Sequence, residues 1–325
     1  MSRAVPHSLA RRLLLRGVAS SLLVGGAARA LRAAPLPGIV APGAVLLPVY
    51  DDGRWCEGPA WDSRNGRLVF SDVRADRLMQ LAAGEPARIR RSPSNNANGN
   101  AFDRQGRLVS CEHRGRRLVL EEADGSLSVL ADRFDGRPLN SPNDLAVAAD
   151  GAIWFTDPTF GLEQPEEGRM ARPEQPGRFV FRLDPGGRLD KVADSFEQPN
   201  GIVFSPDGSR LYVSDTSAAQ GREGKREIRV FDVRDGLRLT NERPFARVAA
   251  GVPDGLAMDA EGRLFAATDG GAMIWNPDGT PAGLIPTPAP CANLAFGGAD
   301  GRWLFLCNGT HIHRITLLTR GASWA

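Results

Sequence analysis

Hydrophobic and polar positions alternate in short runs along most of the chain, and glycine-containing turns separate the runs. The stretch NDLAVAADGAIWFTD (143–157) has a short apolar run, an Ala-Asp-Gly turn, a second apolar run and a final acid. Two β-rich runs joined by a glycine turn predict a β-hairpin. Helical periodicity is nearly absent after residue 30, so the pattern predicts an all-β protein.

The hairpin unit occurs six times. The copies are EGPAWDSRNGRLVFSD (57–72), NGNAFDRQGRLVSCE (98–112), NDLAVAADGAIWFTD (143–157), NGIVFSPDGSRLYVSD (200–215), DGLAMDAEGRLFAATD (254–269) and ANLAFGGADGRWLFLCN (292–308). A second, less regular hairpin lies between copies, which gives four strands per repeat. Six such units predict a six-bladed β-propeller with four-stranded antiparallel blades.

The chain also contains the means to close this propeller, whose end blades would otherwise expose sheet edges. About one strand remains after the sixth copy, and the apolar segment GAVLLPVYD (43–51) precedes the first. We therefore expect residues 44–50 to complete the last blade, so that an N-terminal strand closes the ring. Two long gaps between copies (160–177 and 216–228) are expected to form loops on one face.

Residues 1–30 follow a different pattern. Paired Arg11 and Arg12, a weakly apolar stretch and Ala28-Arg29-Ala30 resemble a twin-arginine export signal, with an attached amphipathic helix as the alternative. The apolar stretch is too short to span a bilayer, so we expect a periplasmic or secreted protein with no membrane contact after cleavage. The predicted divisions are a signal (1–30), a linker (31–43), the propeller (44–320) and a tail (321–325).

Composition and charge agree with a soluble globular protein, because 42% of the 325 residues are hydrophobic and 24% are charged. Residues 1–30 hold five Arg and no acid, so their removal changes the formal net charge from +2 to about −3. We therefore expect no nucleic-acid partner. The sequence leaves monomer and dimer open.

Four cysteines lie after the predicted signal, without the C-x-x-C spacing of a zinc site. Cys291 and Cys307 lie symmetrically about the turn near residue 299, which leaves a cross-strand disulfide and two buried thiols as equal alternatives. Cys56 and Cys111 each precede an acid. Strand alternation should point their side chains away from the channel.

The first position of each copy carries the candidate chemistry. The innermost strands of a propeller surround a channel, so equivalent positions form a ring, here Glu57, Asn98, Asn143, Asn200, Asp254 and Ala292. Asn and Asp also initiate turns, which is the structural alternative. Carboxylate and amide oxygens around one axis suit Ca²⁺, whereas Zn²⁺ prefers His or Cys.

Other polar residues lie near the predicted channel. Glu112 is a candidate for its wall, with a structural acid as the alternative. His113 could reach the channel mouth, but the interpretation as a surface residue is favoured. A G-x-S-x-G elbow is absent, so metal-assisted chemistry is favoured over serine chemistry. Asp144 and Asp157 are candidates for a second, structural Ca²⁺. Acids that end the other second runs are expected to fix loops: Asp72, Asp157, Asp215 and Asp269.

Several segments resemble those of a known family. EGPAW, SPNDL, FTDPTFGL, PNGIVFSPDG, YVSDT and PDGLAMD are similar to signature segments of the SMP-30/gluconolactonase/LRE-like family, in the same order. The resemblance runs from about residue 50 to the end of the chain. It implies a propeller with one catalytic divalent cation, usually Ca²⁺ with Zn²⁺, Mg²⁺ or Mn²⁺ as alternatives. It also implies hydrolysis of a sugar lactone such as gluconolactone.

The resemblance also implies roles for ring residues. The family's metal ligands match Glu57, Asn200 and Asp254, and Asp254 matches its proposed general base as well. Its substrate-contacting Asn matches Asn143. Sugar-lactonase relatives often have an Arg two residues before that Asn, where this chain has Ser141.

Lactone hydrolysis fits this set of residues. The metal would polarise the carbonyl oxygen, and Asp254 would take a proton from the attacking water. Asn98 and Asn143 are expected to donate hydrogen bonds to the substrate, with Glu112 as a third substrate-binding candidate. The alternatives are a phosphotriesterase or arylesterase-type propeller hydrolase and a non-catalytic binding propeller.

Overall fold

A computed structural model describes residues 31–324, apart from the side chains of residues 220 and 324. The predicted export signal lies outside the described residues. No helix between residues 31 and 324 is long and apolar enough to cross a membrane. Six antiparallel sheets form the blades, which confirms the predicted six-bladed β-propeller.

The first two strands along the described residues belong to the last blade, and the four-stranded blades one, two and three come after them. These first strands are β1 (Leu31–Arg32) and β2 (Val45–Tyr50). Blade one contains β3 (Cys56–Asp62), β4 (Arg67–Asp72), β5 (Arg77–Ala82) and β6 (Arg88–Arg91). Blade two contains β7 (Ala97–Phe102), β8 (Leu108–Glu112), β9 (Arg117–Glu121) and β10 (Leu127–Ala131), and a small hairpin follows with β11 (Arg133–Phe134) and β12 (Arg137–Pro138). Blade three contains β13 (Leu145–Val147), β14 (Ile153–Asp157), β15 (Phe179–Leu183) and β16 (Leu189–Ala193), with helix α1 (Phe160–Glu163) after β14.

The remaining blades repeat this order. Blade four contains β17 (Pro199–Phe204), β18 (Arg210–Asp215), β19 (Glu227–Arg234) and β20 (Arg238–Arg247). Blade five contains β21 (Pro253–Met258), β22 (Leu264–Thr268), β23 (Gly271–Trp275) and β24 (Pro281–Pro286). Blade six contains β25 (Cys291–Gly297), β26 (Trp303–Asn308) and β27 (His311–Thr316). Short 3-10 turns lie at Val73–Ala75, Ala219–Gly221 and Ala322–Trp324.

Strand β2 closes the ring as the sequence predicts. It pairs antiparallel with β27, with Leu47 opposite Arg314 and Pro48 opposite His313. Strand β1 then pairs with β2 and adds a fifth strand to blade six. The first and last strands of the described residues therefore belong to one blade.

Residues outside the predicted propeller limits also pack against it. Ala33, Ile39 and Val40, in the predicted linker, are buried in the cluster between blades five and six. Gly321, at the start of the predicted tail, forms a β-bridge with Asp259 of blade five. The folded unit therefore extends on both sides of residues 44–320.

The hydrophobic core lies between neighbouring blades. Each of six buried clusters joins the facing sides of two adjacent sheets. Blades three and four, for example, meet through Trp154, Val180, Ile202 and Phe231. The first strands of successive blades contact one another around the ring, and β25 contacts β3 to complete it. This arrangement brings the first residues of the six repeats to one axis.

Candidate functional site

A cavity of about 400 Å³ opens where the first strands converge. Glu57, Asn98, Asn143 and Asn200 are each about 4% exposed. The structure therefore brings together the residues that the repeat predicts as a ring. All six first positions line the cavity: Glu57, Asn98, Asn143, Asn200, Asp254 and Ala292.

A β-bulge in the first strand of most blades directs the ring residue. In β17 the register with β18 shifts between Pro199 and Ile202, and β21 has the same shift between Pro253 and Leu256. Strands β3, β7 and β25 have equivalent shifts. A bulge interrupts the alternation of side chains and can re-aim one of them. Asn200 and Asp254 lie within such bulges.

Glycine follows several ring residues because the inner strands approach too closely for a side chain. A Cβ atom on Gly201 would lie 2.3 Å from the carbonyl oxygen of Asp254. A Cβ atom on Gly255 would lie 2.2 Å from the side chain of Asn293. The Asn-Gly and Asp-Gly pairs of the repeat therefore combine an oxygen-bearing side chain with close packing of neighbouring blades.

Hydroxyl groups from one blade hold the ring residue of the next. Ser214 donates to the carbonyl oxygen of Asp254 at 2.8 Å, and Thr156 donates to the carbonyl oxygen of Asn200 at 2.7 Å. Ser71 of blade one donates in the same way to the carbonyl oxygen of Asn98 in blade two. These side chains fix the backbone at the ring positions without entering the cavity.

The acids that follow these hydroxyl residues hold the loop that leads into the ring. Asp72 accepts the backbone N–H of Trp55 at 3.0 Å, and Asp157 accepts that of Asn140 at 2.8 Å. Asp215 bonds to the corresponding loop of blade four. The prediction that such acids fix loops agrees with the structure for these three, whereas Asp269 lines the cavity.

The two ring carboxylates are held in a medium that disfavours their charge. Burial raises the pKa of Glu57 to about 8, and the charge of Asp144 contributes to the increase. Burial also raises the pKa of Asp254 well above its ordinary value, and the neighbouring charge of Glu57 raises it further. A positive charge bound beside these two buried carboxylates would stabilise their ionised forms.

The donor set fits a hard divalent cation. Oδ1 of Asn200 and Oδ1 of Asp254 are shielded from solvent and have no hydrogen-bond partner among the described residues. Together with the carboxylate of Glu57 they supply oxygen ligands of the kind that Ca²⁺ binds. Within residues 31–324 no three or more His, Cys, Asp or Glu side chains form a metal-binding cluster. Ligation at this site would therefore combine two carboxylates with an amide.

A second structural ion at Asp144 and Asp157 stays a prediction. Asp144 accepts the backbone N–H of Leu145 at 2.9 Å and faces Asn293 on the other side of the channel. Asp157 instead holds the loop at Asn140. The two carboxylates thus bind different parts of the chain.

His113 is completely buried, so its interpretation as a surface residue is wrong. Its Nε2 lies 3.3 Å from Nδ2 of Asn98 and 3.3 Å from Nδ2 of Asn143. Its Nδ1 lies 3.1 Å from the carbonyl oxygen of Glu167. Burial lowers the pKa of His113 to about 4, so the imidazole is neutral near pH 7. The repeat gave no signal for this residue beyond its position directly after Glu112.

Glu112 does not line the cavity. Its carboxylate is fully buried and accepts hydrogen bonds from Arg91 at 3.2 Å and from Arg117 at 2.7 Å. Both oxygens are therefore occupied by guanidinium groups, which favours the structural alternative. Glu112 thus connects Arg91 of blade one to Arg117 of its own blade.

The long insertion of blade three covers one side of the cavity, as its composition predicts. Phe160, Gln164 and Glu167 from this segment line the cavity. Arg74 of blade one also lines it and donates to Glu167 at 2.7 Å, with its guanidinium stacked on the ring of Trp55. The sequence did not identify Arg74, because it lies between repeat copies. The shorter insertion of blade four contributes Thr216, Ala218, Ala219 and Gly221.

All four cysteines are buried free thiols, so the disulfide alternative for Cys291 and Cys307 is wrong. Cys291 packs between blades five and six, whereas Cys307 packs between blades six and one. The two thiols thus lie on opposite faces of one sheet. A bulge after Cys291 places it opposite Asn308 rather than opposite Cys307.

The family model described as SMP-30/gluconolactonase/LRE-like region matches residues 55–310. The chain belongs to this family. The family match includes the repeats that supply all six ring positions. It therefore confirms the resemblance seen in the sequence segments.

Curated relatives and a solved structure agree with this assignment. The chain is 32% identical to a gluconolactonase of Zymomonas mobilis over 297 residues, which cover 84% of this chain and 81% of the relative. It is 27% identical to a pentonolactonase of Haloferax volcanii over 75% of this chain and 78% of the relative. A gluconolactonase structure from Xanthomonas campestris superposes with a TM-score of 0.82 and 40% identity, over 90% of this chain and 99% of the other.

Proposed function

We propose that this family member is a divalent-cation-dependent hydrolase of a sugar lactone. Family membership and the named relatives indicate a lactonase, a hydrolase of ester bonds. One observation carries the proposal for the metal: unpartnered oxygens of Asn200 and Asp254 line the same buried cavity as Glu57. Ca²⁺ is the cation that this oxygen set fits best.

Glu57, Asn200 and Asp254 would hold the cation. When bound, the cation would polarise the carbonyl oxygen of the lactone. Asp254 would accept a proton from the attacking water and return it to the ring oxygen as the ester bond breaks, which yields a hydroxy acid. Burial and Glu57 raise the pKa of Asp254, which opposes the decrease that a bound cation would cause.

A lactone panel tests this function. Acid release is followed by pH indicator with gluconolactone, other aldonolactones and aliphatic lactones, on protein treated with chelator and then with or without added Ca²⁺. We expect hydrolysis of at least one aldonolactone that requires the added cation. Asp254→Asn is expected to lower kcat by a factor of about 100 or more, as expected for loss of a general base.

Other outcomes would contradict the proposal in different ways. Turnover of a phosphotriester or an aryl ester, without turnover of any lactone, would favour the alternative hydrolase. Absence of turnover and of cation binding would favour a binding propeller. Equal lactone hydrolysis with and without chelator would contradict the metal dependence.

We also propose that the protein is exported and acts in the periplasm or outside the cell. The support is the order of Arg11, Arg12, an apolar stretch and Ala28-Arg29-Ala30 in the sequence. A fusion of residues 1–40 to a reporter should appear in the periplasmic fraction. Replacement of both Arg11 and Arg12 by Lys should keep the reporter in the cytoplasm, and unchanged export would contradict a twin-arginine signal.

A further inference from the structure

His113 lies at the start of the turn after β8, outside the ring positions, yet both of its ring nitrogens contact polar groups beside the cavity. Nδ1 lies 3.1 Å from the carbonyl oxygen of Glu167. Nε2 lies 3.3 Å from the side-chain nitrogens of both Asn98 and Asn143. The histidine is fully buried, so water does not replace these partners.

The contact with Glu167 determines the tautomer of His113. A backbone carbonyl oxygen only accepts hydrogen bonds, so Nδ1 must carry a proton. A neutral imidazole with a proton on Nδ1 has an unprotonated Nε2, which is an acceptor. The lowered pKa of the buried His113 agrees with the neutral form.

The tautomer of His113 in turn determines the orientation of two amides. Because Nε2 accepts, Asn98 and Asn143 must both present their N–H groups to it. Each amide oxygen then points away from the histidine. Oδ1 of Asn98 is shielded from solvent and has no partner among the described residues, and both asparagines line the cavity. This differs from the expectation that the two amides donate to the substrate.

We infer that His113 is a positioning residue that holds Asn98 and Asn143 as paired hydrogen-bond acceptors for hydroxyl groups of the substrate. The inference rests on the proposed lactonase function and names the feature of the lactone that the cavity recognises. A hydroxylated lactone donates O–H groups to the two amide oxygens, whereas an unsubstituted lactone leaves them unpaired. His113 therefore contributes selectivity for hydroxylated lactones over unsubstituted ones.

The surrounding structure keeps His113 in this arrangement. Glu167, whose carbonyl oxygen accepts from Nδ1, is held by an ion pair with Arg74 at 2.7 Å. Asn96 donates to the carbonyl oxygen of the preceding residue, Glu166, at 3.3 Å. A Cβ atom on Gly161 would lie 2.6 Å from Cβ of His113, so the insertion packs directly on the histidine.

Two substrates with the same six-membered lactone ring distinguish the positioning role of His113 from a general effect on the structure. Glucono-δ-lactone carries hydroxyl groups, and δ-valerolactone carries none. His113→Phe keeps a planar ring and removes both hydrogen-bonding nitrogens. His113→Gln supplies an oxygen that can accept from the two amides. His311→Gln, at a partly exposed histidine on β27 that does not line the cavity, serves as the matched control.

We expect kcat/KM of His113→Phe for gluconolactone to fall about 10- to 100-fold, mainly through a higher KM, since two substrate hydrogen bonds lose their fixed acceptors. Activity on δ-valerolactone should fall much less, because this lactone has no hydroxyl groups to donate to the two amide oxygens, and His113→Gln should recover most of the loss on gluconolactone. Equal losses on both lactones, or no loss on gluconolactone, would overturn the inference. A wild-type protein without any lactone hydrolysis would instead contradict the proposed function.

The tautomer gives a second readout that does not depend on activity. Nitrogen–proton NMR of histidine-labelled protein distinguishes protonation at Nδ1 from protonation at Nε2. The chain has four histidines, and the signals of His113 are assigned by their loss in His113→Phe. We expect a neutral ring with the proton on Nδ1 at pH 7. A proton on Nε2, or a charged ring, would overturn the inference even if the variant lost activity.

Discussion

At the scale of single residues, Asp157 is a buried carboxylate that has too few hydrogen bonds to offset its loss of solvation. One oxygen accepts the N–H of Asn140 at 2.8 Å, and Oδ1 has no partner among the described residues. Burial raises the pKa of Asp157 from 3.8 to about 7. The folded state therefore binds this proton more tightly than the unfolded state. Its stabilising effect is complete below pH 3.8 and is lost as the pH rises to about 7.

We predict that Asp157→Asn reduces this pH dependence. The amide keeps an oxygen that can accept from Asn140 but does not ionise. The difference in free energy of unfolding between the variant and the wild type should change in favour of the variant by about 2–4 kcal/mol from pH 4 to pH 8. Urea denaturation of both proteins at several pH values, with chelator present, measures the difference. Parallel pH profiles would show that Asp157 does not titrate in this interval.

The ring residues and His113 differ in how far the sequence predicts them. Glu57, Asn200 and Asp254 share one position in a repeat, so propeller symmetry alone brings them together. His113 lies in a turn between copies, and its contacts depend on the long insertion of blade three, which does not follow the repeat. A sequence pattern contains no measure of that tertiary contact. Its role was therefore not predictable.

At the scale of elements, the bulged first strand connects fold and site. Asn200 and Gly201 lie in the bulge of β17, next to the backbone of Asp254 in β21. Because the glycine has no side chain, the two strands approach closely enough to bring the side-chain oxygens of Asn200 and Asp254 to one cavity.

Gly201→Ala tests the close approach. The new Cβ would lie 2.3 Å from the carbonyl oxygen of Asp254, so one strand must move. We predict that the variant loses about 2 kcal/mol or more of stability and at least tenfold in Ca²⁺ affinity. Gly186→Ala is the control, since its nearest neighbour is the side chain of Asp184 at 3.3 Å. Equal behaviour of the two variants in denaturation and calorimetry would contradict the role of Gly201.

The insertion of blade three depends on the pair of Arg74 and Glu167. Removal of one member leaves a buried, unpaired group, which costs more than removal of both. We predict that Arg74→Gln makes residues 160–177 more sensitive to limited proteolysis than Arg74→Gln/Glu167→Gln does. Equal sensitivity of the single variant and the wild type would mean that the ion pair does not anchor the insertion.

The disulfide alternative for Cys291 and Cys307 is wrong because one strand has an irregular register. Symmetry about a regular turn places Cys291 and Cys307 opposite each other. The bulge in β25 shifts the register by one residue, and the two side chains then point to opposite faces of blade six. The same kind of bulge that directs ring residues therefore invalidated the disulfide alternative.

At the scale of the whole molecule, closure by β2 determines whether six blades form one unit. Leu46 on this strand is 2% exposed and packs between blades five and six, whereas Leu47 is 39% exposed. We predict that Leu46→Ala costs about 2–4 kcal/mol of unfolding free energy. Leu47→Ala should cost much less. Similar losses in both variants, measured by urea denaturation, would mean that burial of this strand does not support the ring.

The overall architecture was predictable because it repeats. Six copies of one hairpin and a spare N-terminal segment determine the number of blades and the mode of closure. The strand β1 and the packing of residues 31–43 were not predictable in the same way, because they occur once and do not follow the repeat. Non-repeated segments require knowledge of the surface on which they pack.

Calorimetric titration of Ca²⁺ into chelator-treated protein tests directly whether the ring residues bind a cation. We predict one site per chain in the wild type and in the exposed control Asp124→Asn, and loss of that site in Glu57→Gln and in Asp254→Asn. Retention of wild-type affinity in both ring variants would contradict the assignment of Glu57, Asn200 and Asp254 as a cation site.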